Sequence, residues 1–330
     1  MPTSAARVLV VGGAVLDTKL TTRDAPVLGT SNPGTATSGV GGVGRNIAEN
    51  LARLGTPTAL VAAVGDDPAA TSVLERTRAA GVDCSGIVTS AHPTGTYTAV
   101  LDPWGDLLVA VSDMRATDAI GVADLPPVAD LLADIGLVVA DGNLAASVLR
   151  WMLDAAADAG LPLVLDPVSV AKAAVVASVL DGRHPVHLVT PNVAELEVLV
   201  GARGLDASDD GVARGASMLH DRGVGTVWVR RGARGSVLSV RGPGERHARV
   251  HVVRAPAVEV VDVTGAGDAS TAGYVHALLG GRDGLDAARY GQVCAALTCA
   301  SAETVRTDLT GDLVTDRLTP ADPHVQELAP

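Results

Sequence analysis

Phenylalanine is missing from the 330-residue chain, and three Trp with three Tyr make up its whole aromatic complement of 2 %. The core must therefore be built from Ala, Val and Leu, which an apolar content of 47 % permits. Lysine is nearly missing too, since Lys19 and Lys172 are the only two among 25 basic residues. A phosphate-binding P-loop needs Gly-Lys, and neither lysine follows a glycine, so a Walker A ATPase is excluded. Cys84, Cys294 and Cys299 are odd in number and form no C-x-x-C pair. That argues against a disulfide scaffold or structural zinc and makes a reducing cytoplasm the expected location. Positive charge is in deficit as well: 25 Lys and Arg face 37 Asp and Glu, a net −12. Nucleic acid is thus not an expected partner, because phosphate neutralisation needs bases concentrated on one face. No apolar run reaches the ~18 residues that span a bilayer, so a membrane partner is not expected either. Met1–Ala6 lead straight into the run Val8–Val11, too short for the core of a signal peptide.

Short β-branched runs alternate with longer segments of helical spacing. Strands are expected at Arg7–Val11, Ala59–Val64, Leu137–Ala140, Leu161–Leu165, His187–Val189, Thr226–Val229 and Val237–Val240. Ala-rich helices are expected between them, as at Pro68–Ala80 and Ala145–Ala159. Continuous apolar strands separated by helices indicate a parallel sheet covered on both faces. Two stretches break the rhythm. Thr18–Ser38 is rich in Thr, Gly and Pro, and His92–Ser112 alternates as a hairpin around Asp102–Asp106. Both read as strands of a small lid. The expected division is a main α/β domain of 1–17, 39–91 and 113–330, with a β lid of 18–38 and 92–112. The polar segment Thr319–Pro330 is expected to be loosely held.

The sharpest chemical signal is Asp262-Val263-Thr264-Gly265-Ala266-Gly267-Asp268, with a strand expected at Val258–Val261 before it and a helix after it. Glycines let backbone approach a ligand, and the first-turn N–H groups of a helix lack internal partners. The result is an anion site suited to a phosphoryl group in transfer. Asp268, on the first turn, can accept a proton from an attacking hydroxyl. A plain glycine turn with a capping Asp is the competing reading.

Gly39, Gly41 and Gly44 match G-x-G-x-x-G before a helix carrying Ile47, Leu51 and Leu54, with Gly55 as its stop. The dinucleotide fingerprint needs a preceding strand, and Pro33–Ser38 does not read as one. The alternative is a glycine platform for a sugar, with Asn46 on a hydroxyl. Asn192 and Glu195, three apart at a helix start, suit Mg²⁺ held through water, and equally suit plain helix capping. Arg231-Gly232-Ala233-Arg234-Gly235 alone is a hairpin turn. Asp17 follows the first strand, at the sheet edge where α/β proteins bind ligands.

Taken together, and in this order along nearly the whole chain, these segments resemble the ribokinase-like (PfkB) carbohydrate and nucleoside kinases. Gly41–Gly55 is similar to the N-terminal signature of that family, and Asp262–Asp268 to its more specific C-terminal one. The family's Asn-x-x-Glu magnesium motif falls on Asn192 and Glu195. The resemblance implies a three-layer sandwich with a mainly parallel central sheet and a small β-sheet lid. It implies Asp268 as base, with Gly265, Ala266 and Gly267 as anion hole. Asp17, Gly41, Gly42 and Asn46 would hold a ribose. ATP would lie against Asn192, Arg231, Gly232, Gly235, Thr264, Gly265 and Gly267, with Mg²⁺ near Asn192 and Glu195. A monovalent cation such as K⁺ is a further candidate cofactor, and a homodimer through the lid a candidate assembly.

Within the family the chain looks most like the pseudouridine kinases. The stretches Thr30–Gly34, Gly42–Ala48, Ser112–Met114, Asp141–Leu144 and Asp166–Lys172 carry that likeness. The expected reaction is transfer from ATP to the 5′-hydroxyl of pseudouridine, with Lys19, Ser31 and Asn32 reading the uracil edge. Ribose, adenosine, cytidine or uridine as acceptor is the alternative. Three positions depart from the pattern. Val15 stands where relatives often carry Asn, Ser270 stands where Phe is usual, and Ala300–Arg306 lacks the Gly-Ala pair of the nucleotide and cation loop.

Overall fold

The computed structural model describes residues 7–318 and 325–328. Its strands, in chain order, begin with β1 (Arg7–Val11), β2 (Val15–Thr22), β3 (Gly34–Gly41), β4 (Thr58–Val61) and β5 (Ala63–Val64). They continue with β6 (Val88–Thr89), β7 (Gly95–Leu101), β8 (Leu107–Asp113), β9 (Ile135–Asp141) and β10 (Leu163–Asp166). The last five are β11 (Val186–Val189), β12 (Val224–Arg230), β13 (Ser236–Val240), β14 (Arg249–Val253) and β15 (Val325–Leu328). The helices are α1 (Val43–Arg53), α2 (Pro68–Ala79), α3 (Arg115–Asp118), α4 (Val128–Leu131), α5 (Ala146–Asp158) and α6 (Val170–Val179). They end with α7 (Val193–Val200), α8 (Asp209–His220), α9 (Ala266–Leu279), α10 (Gly284–Cys299) and α11 (Gly311–Thr315).

Nine strands form one sheet in the order β15-β14-β13-β12-β11-β10-β9-β1-β4. From β12 to β4 all neighbours are parallel, and β13, β14 and β15 add on antiparallel. Alternation along β1 divides the core in two. Leu9 and Val11 pack with Val148 and Met152 of α5, Val176 of α6 and Leu199 of α7. Val8 and Val10 pack on the other face with Ile47 and Leu51 of α1, Ala272 and Val275 of α9, and Leu297 of α10. This is the expected three-layer α/β sandwich. With no Phe, its bulk comes from many small contributions of about 1.5–3 kcal/mol per buried Val or Leu.

A separate four-stranded sheet, β3-β2-β7-β8, comes from the two stretches that broke the βα rhythm. In it Asp17 faces Gly39, and Lys19 faces Thr37. The β7–β8 hairpin turns at Asp102–Asp106, where the Asp102 carboxylate accepts from the N–H groups of Trp104 and Asp106.

Three local expectations need correction. Val258–Val261 is not a strand: the run carries no ladder, Val260 and Val261 stand 60 % exposed, and Val260 lines a cavity. Residues 34–41 do form a strand before α1, yet it is antiparallel and lies in the small sheet, so the parallel βαβ context of a dinucleotide fingerprint is still missing. Finally, Val325–Leu328 is not loose, because it pairs along β14 as an edge strand; the remainder of Thr319–Pro330 lies outside the described residues.

Candidate active site

Both glycine motifs become helix starts aimed at one point. Gly42 caps α1 with φ 95°, and Gly265 caps α9 with φ 78°, left-handed values that a side chain resists. The loop before α9 is fixed by the N–H groups of Val261 and Asp262, which donate to the Cys299 carbonyl at 2.8 and 3.3 Å. Asp262 Oδ1 then accepts from the N–H and hydroxyl of Thr264 at 2.8 and 2.7 Å. The Ala266 N–H donates to the Val263 carbonyl at 3.3 Å, while a helix start leaves its remaining first-turn N–H groups without intrahelical partners, as an anion site requires.

Asp268, on that first turn, is 9 % exposed. Its Oδ2 accepts from Asn46 Nδ2, on the first turn of α1, at 2.8 Å. Burial pushes the Asp268 carboxyl up to about 8, and the neighbouring Asp166 adds to the rise. The Asn46 bond and the Arg230 guanidinium pull the other way. A base poised near neutrality is what hydroxyl deprotonation needs. Asn46 is itself oriented by Arg45 Nη1, which donates to its Oδ1 at 2.6 Å and to the Val40 carbonyl at 2.8 Å. Arg45 is buried and pairs with Glu49 on the next turn; burial lowers its pKa to about 10.

Asp17 sits across the same glycines. A Cβ on Gly41 would come within 2.0 Å of its carboxylate, so a side chain there would push that carboxylate aside. Burial raises Asp17 to about 6, against the pull of Arg45 and Lys19. Asp17, Lys19, Thr37 and Arg45 line a cavity of about 420 Å³ between the small sheet, α1 and residues 302–307.

A second cavity, of about 710 Å³, is lined by seven of the other expected residues: Asn192, Glu195, Gly232, Gly235, Ala266, Gly267 and Asp268; Gly41, Gly42, Asn46, Thr264 and Gly265 line neither cavity. Gly232–Arg234 form a single 3-10 turn between antiparallel β12 and β13, the hairpin expected from sequence. Asn192 and Glu195 close a reciprocal cap: the Glu195 N–H donates to Asn192 Oδ1, and the Asn192 N–H to Glu195 Oε2, both at 2.9 Å. Glu195 is buried and burial raises its carboxyl. Each of its oxygens still has a lone pair beyond the cap. With Asp166 on the same wall, the donor set suits Mg²⁺, which takes one or two carboxylates, waters and phosphate oxygens. Among the described residues no cluster of three or more His, Cys, Asp or Glu offers an all-protein metal cage.

Other expected residues lie elsewhere. Arg231 turns away from the cavity onto Asp209 of α8. Lys19 Nζ donates to Asp262 Oδ2 at 2.6 Å, tying β2 to the loop before α9. Asn32 spends its amide on its own loop, with bonds to Val27 N–H and carbonyl at 2.8 and 2.9 Å. Ser31 is exposed in that loop, and neither residue lines the two cavities.

Two carboxylates at the site, in segments that the sequence marked only by their likeness to the family, had no role assigned from sequence. Asp141 and Asp166 end adjacent parallel strands in register, the edge where such sheets bind ligands. Asp141 Oδ2 accepts from Gly13 and Gly44 N–H at 2.9 and 2.8 Å, knitting the two glycine loops together. Asp166 Oδ2 accepts from the Thr190 and Thr271 hydroxyls at 2.9 and 3.2 Å. Its Oδ1 holds the N–H of Val168, whose φ of 70° is strained for a β-branched residue at the cavity wall. A signal was present, in that Asp-Gly and Asp-Pro each follow an apolar strand.

The arrangement can bind a polyphosphate beside a buried base. The model of the pfkB family carbohydrate kinases matches residues 5–310. The chain is 32 % identical to the pseudouridine kinase of Escherichia coli K12 over 304 residues, 92 % of this chain and 93 % of that one. A carbohydrate kinase structure from Agrobacterium tumefaciens superposes with a TM-score of 0.80 at 30 % identity, covering 98 % of this chain and 99 % of that one. The ribokinase of Arabidopsis thaliana, solved with ribose and ATP, has the same fold at a TM-score of 0.80 and 23 % identity, over 94 % and 98 % of the two chains. The chain thus belongs to the pfkB family of carbohydrate kinases, phosphotransferases that act on a hydroxyl group.

Proposed function

We propose that the protein transfers the γ-phosphoryl group of ATP to the 5′-hydroxyl of pseudouridine, giving pseudouridine 5′-phosphate and ADP. The observation that carries the kinase chemistry is Asp268, buried on the first turn of α9 beside the glycine turn Gly265–Gly267. The likeness to the bacterial pseudouridine kinase over nearly the full length supports the acceptor.

In this reading Asp17, Gly41, Gly42 and Asn46 hold the ribose, and Asn46 keeps Asp268 aimed at the hydroxyl. Asp268 takes the hydroxyl proton as the oxygen attacks phosphorus. The α9 amides meet the charge that builds on the phosphoryl oxygens, in a site largely closed to water. ATP lies in the larger cavity, over Gly232 and Gly235 and beside Thr264. Glu195, Asn192 and Asp166 would hold Mg²⁺ through water; the ion supplies charge neutralisation on the phosphates. Potassium fits less well. The segment Ala300–Arg306 carries its own cation, since Arg306 donates to the Leu297 carbonyl at 3.1 Å and pairs with Asp308. No step runs through K⁺.

The small sheet acts as lid in this reading, and as the surface through which two copies pair. Leu107, Val109 and Val111 on its outer strand β8 are 54–66 % exposed, which supports that pairing. Coupled ADP detection over a panel of pseudouridine, uridine, ribose, adenosine and cytidine tests the acceptor. Pseudouridine as the preferred acceptor is expected, and a preference for any other moves the assignment to that compound.

A further inference from the structure

Arg230 is the last residue of β12 and has no part in the steps above. Its N–H donates to the Pro191 carbonyl at 2.8 Å, which locks it beside the Asn192–Glu195 cap. Its Nη1 lies 3.4 Å from Asp166 Oδ2, and its Nη2 lies 3.8 Å from Glu195 Oε2. Charge-assisted hydrogen bonds are shorter, about 2.7–2.9 Å, so the field of two carboxylates holds the guanidinium without using up its N–H donors. The side chain is 18 % exposed and lines the 710 Å³ cavity, where it is the one Arg or Lys among the lining residues described. It also overhangs the anion turn: a Cβ added to Gly267 would stand 2.6 Å from Arg230 Nη1. Its neighbour Arg231, by contrast, is committed to Asp209.

We propose that Arg230 is a catalytic residue whose guanidinium binds the phosphoryl group in flight between ATP and the acceptor. This rests on the kinase reading above. The acceptor oxygen forms a bond to the γ-phosphorus, and the bond from that phosphorus to the β,γ-bridging oxygen breaks, its electron pair leaving on ADP. The hydroxyl proton goes to Asp268. Negative charge on the three equatorial oxygens stays beside the anion turn throughout, and that is where the Arg230 fork points. A planar fork offers two parallel donors to phosphate oxygens, which an ammonium does not. Because Asp166 and Glu195 position it before substrate arrives, little reorganisation is needed at the moment of transfer.

The competing role is structural, a counter-ion that keeps two buried carboxylates apart. Steady-state kinetics of wild type, Arg230→Ala and Arg230→Lys, with the acceptor that wild type prefers, separates the two. Melting temperature and ADP affinity by calorimetry are measured on each. The proposal expects kcat to fall by about 10²–10³-fold in Arg230→Ala, with the acceptor KM within about threefold. It expects added guanidinium to restore part of that kcat, and Arg230→Lys to fall between the two. Should Arg230→Ala not fold, Arg230→Lys and Arg230→Gln take its place under the same criteria. A kcat within about threefold of wild type, a loss confined to the KM for ATP, or a melting-temperature loss without guanidinium rescue overturns the proposal. A wild-type chain that phosphorylates none of the acceptors overturns the kinase reading itself, and this proposal with it. An active wild type matched by an equally active variant overturns this proposal alone.

Discussion

Asn46 Nδ2 donates to Asp268 Oδ2 across 2.8 Å, so the first turns of α1 and α9 meet through one hydrogen bond between residues 222 positions apart. Removing the acceptor's charge tests the base. Asp268→Asn should cut kcat by at least ~10²-fold while the fold persists, because the amide still accepts from Asn46 through its oxygen. A variant with full kcat, measured by coupled ADP release, removes Asp268 from the mechanism.

The pKa of Asp268 makes two pH dependences run in opposite directions. Transfer requires the carboxylate, so kcat/KM should rise as pH climbs through about 8 in the free enzyme. Stability should do the reverse. Between the ordinary carboxylate value of 3.8 and about 8, the folded state keeps a proton that the unfolded chain has released, so stability falls as pH rises across that window. Asp268→Asn has no such proton. Its melting temperature should therefore decline less than that of wild type from about pH 5 to about pH 8. Parallel melting curves for the two proteins would place the proton elsewhere.

How far the sequence could be read depended on whether a signal was local. The turn at Gly265 and the start of α1 at Gly42 were legible because positive φ and open N–H groups are properties of a few consecutive residues. The same holds for the Asn192–Glu195 cap. Arg230 and Arg231 were not separable, since successive strand residues point to opposite faces and only the sheet register decides which faces the cavity. Val258–Val261 has the composition of a strand, yet Val260 lines the cavity and no strand neighbour lies beside the run. Asp141 and Asp166 matter because parallel strands bring them side by side, a relation 25 residues long that no motif contains.

Lys19 and Asp262 give a test that separates reading a base from bracing a loop. Their 2.6 Å contact joins the small sheet to the turn that carries the anion site. If Lys19 braces that turn, Lys19→Met and Asp262→Asn should lower kcat alike, by about tenfold, with no change in acceptor preference. If Lys19 reads the uracil edge, only Lys19→Met should erode the ratio of kcat/KM for pseudouridine over uridine. The double variant decides, because bracing predicts no further loss beyond either single change.

Gly265→Ala should destabilise the fold outright. The position has φ 78°, and its new Cβ would sit 1.9 Å from the Thr304 carbonyl oxygen, which is backbone and cannot swing away. Left-handed strain alone is worth about 1–3 kcal/mol, to which the clash adds. Thermal unfolding of the variant against wild type measures it, and an unchanged melting temperature would mean that the turn relaxes freely.

Exchange of K⁺ for Na⁺ or a tetraalkylammonium ion should alter kcat by less than about twofold, since Arg306 already places a fixed cation in the Ala300–Arg306 segment. Arg306→Ala is the informative partner. It should leave a chain whose activity responds to added K⁺, and a wild type strongly activated by K⁺ would show that the guanidinium does not substitute for the ion.

The paucity of aromatic residues has an optical consequence. The three tryptophans fall in three separate environments. Trp104 is 76 % exposed at the tip of the β7–β8 hairpin, Trp151 is half-buried on α5, and Trp228 is fully buried against Tyr274 at the wall of the larger cavity. Single-tryptophan variants would therefore turn the molecule into its own set of fluorescent gauges. One dye would watch the hairpin, one would watch the nucleotide cavity, and the third would serve as an internal reference, with almost no background from other rings.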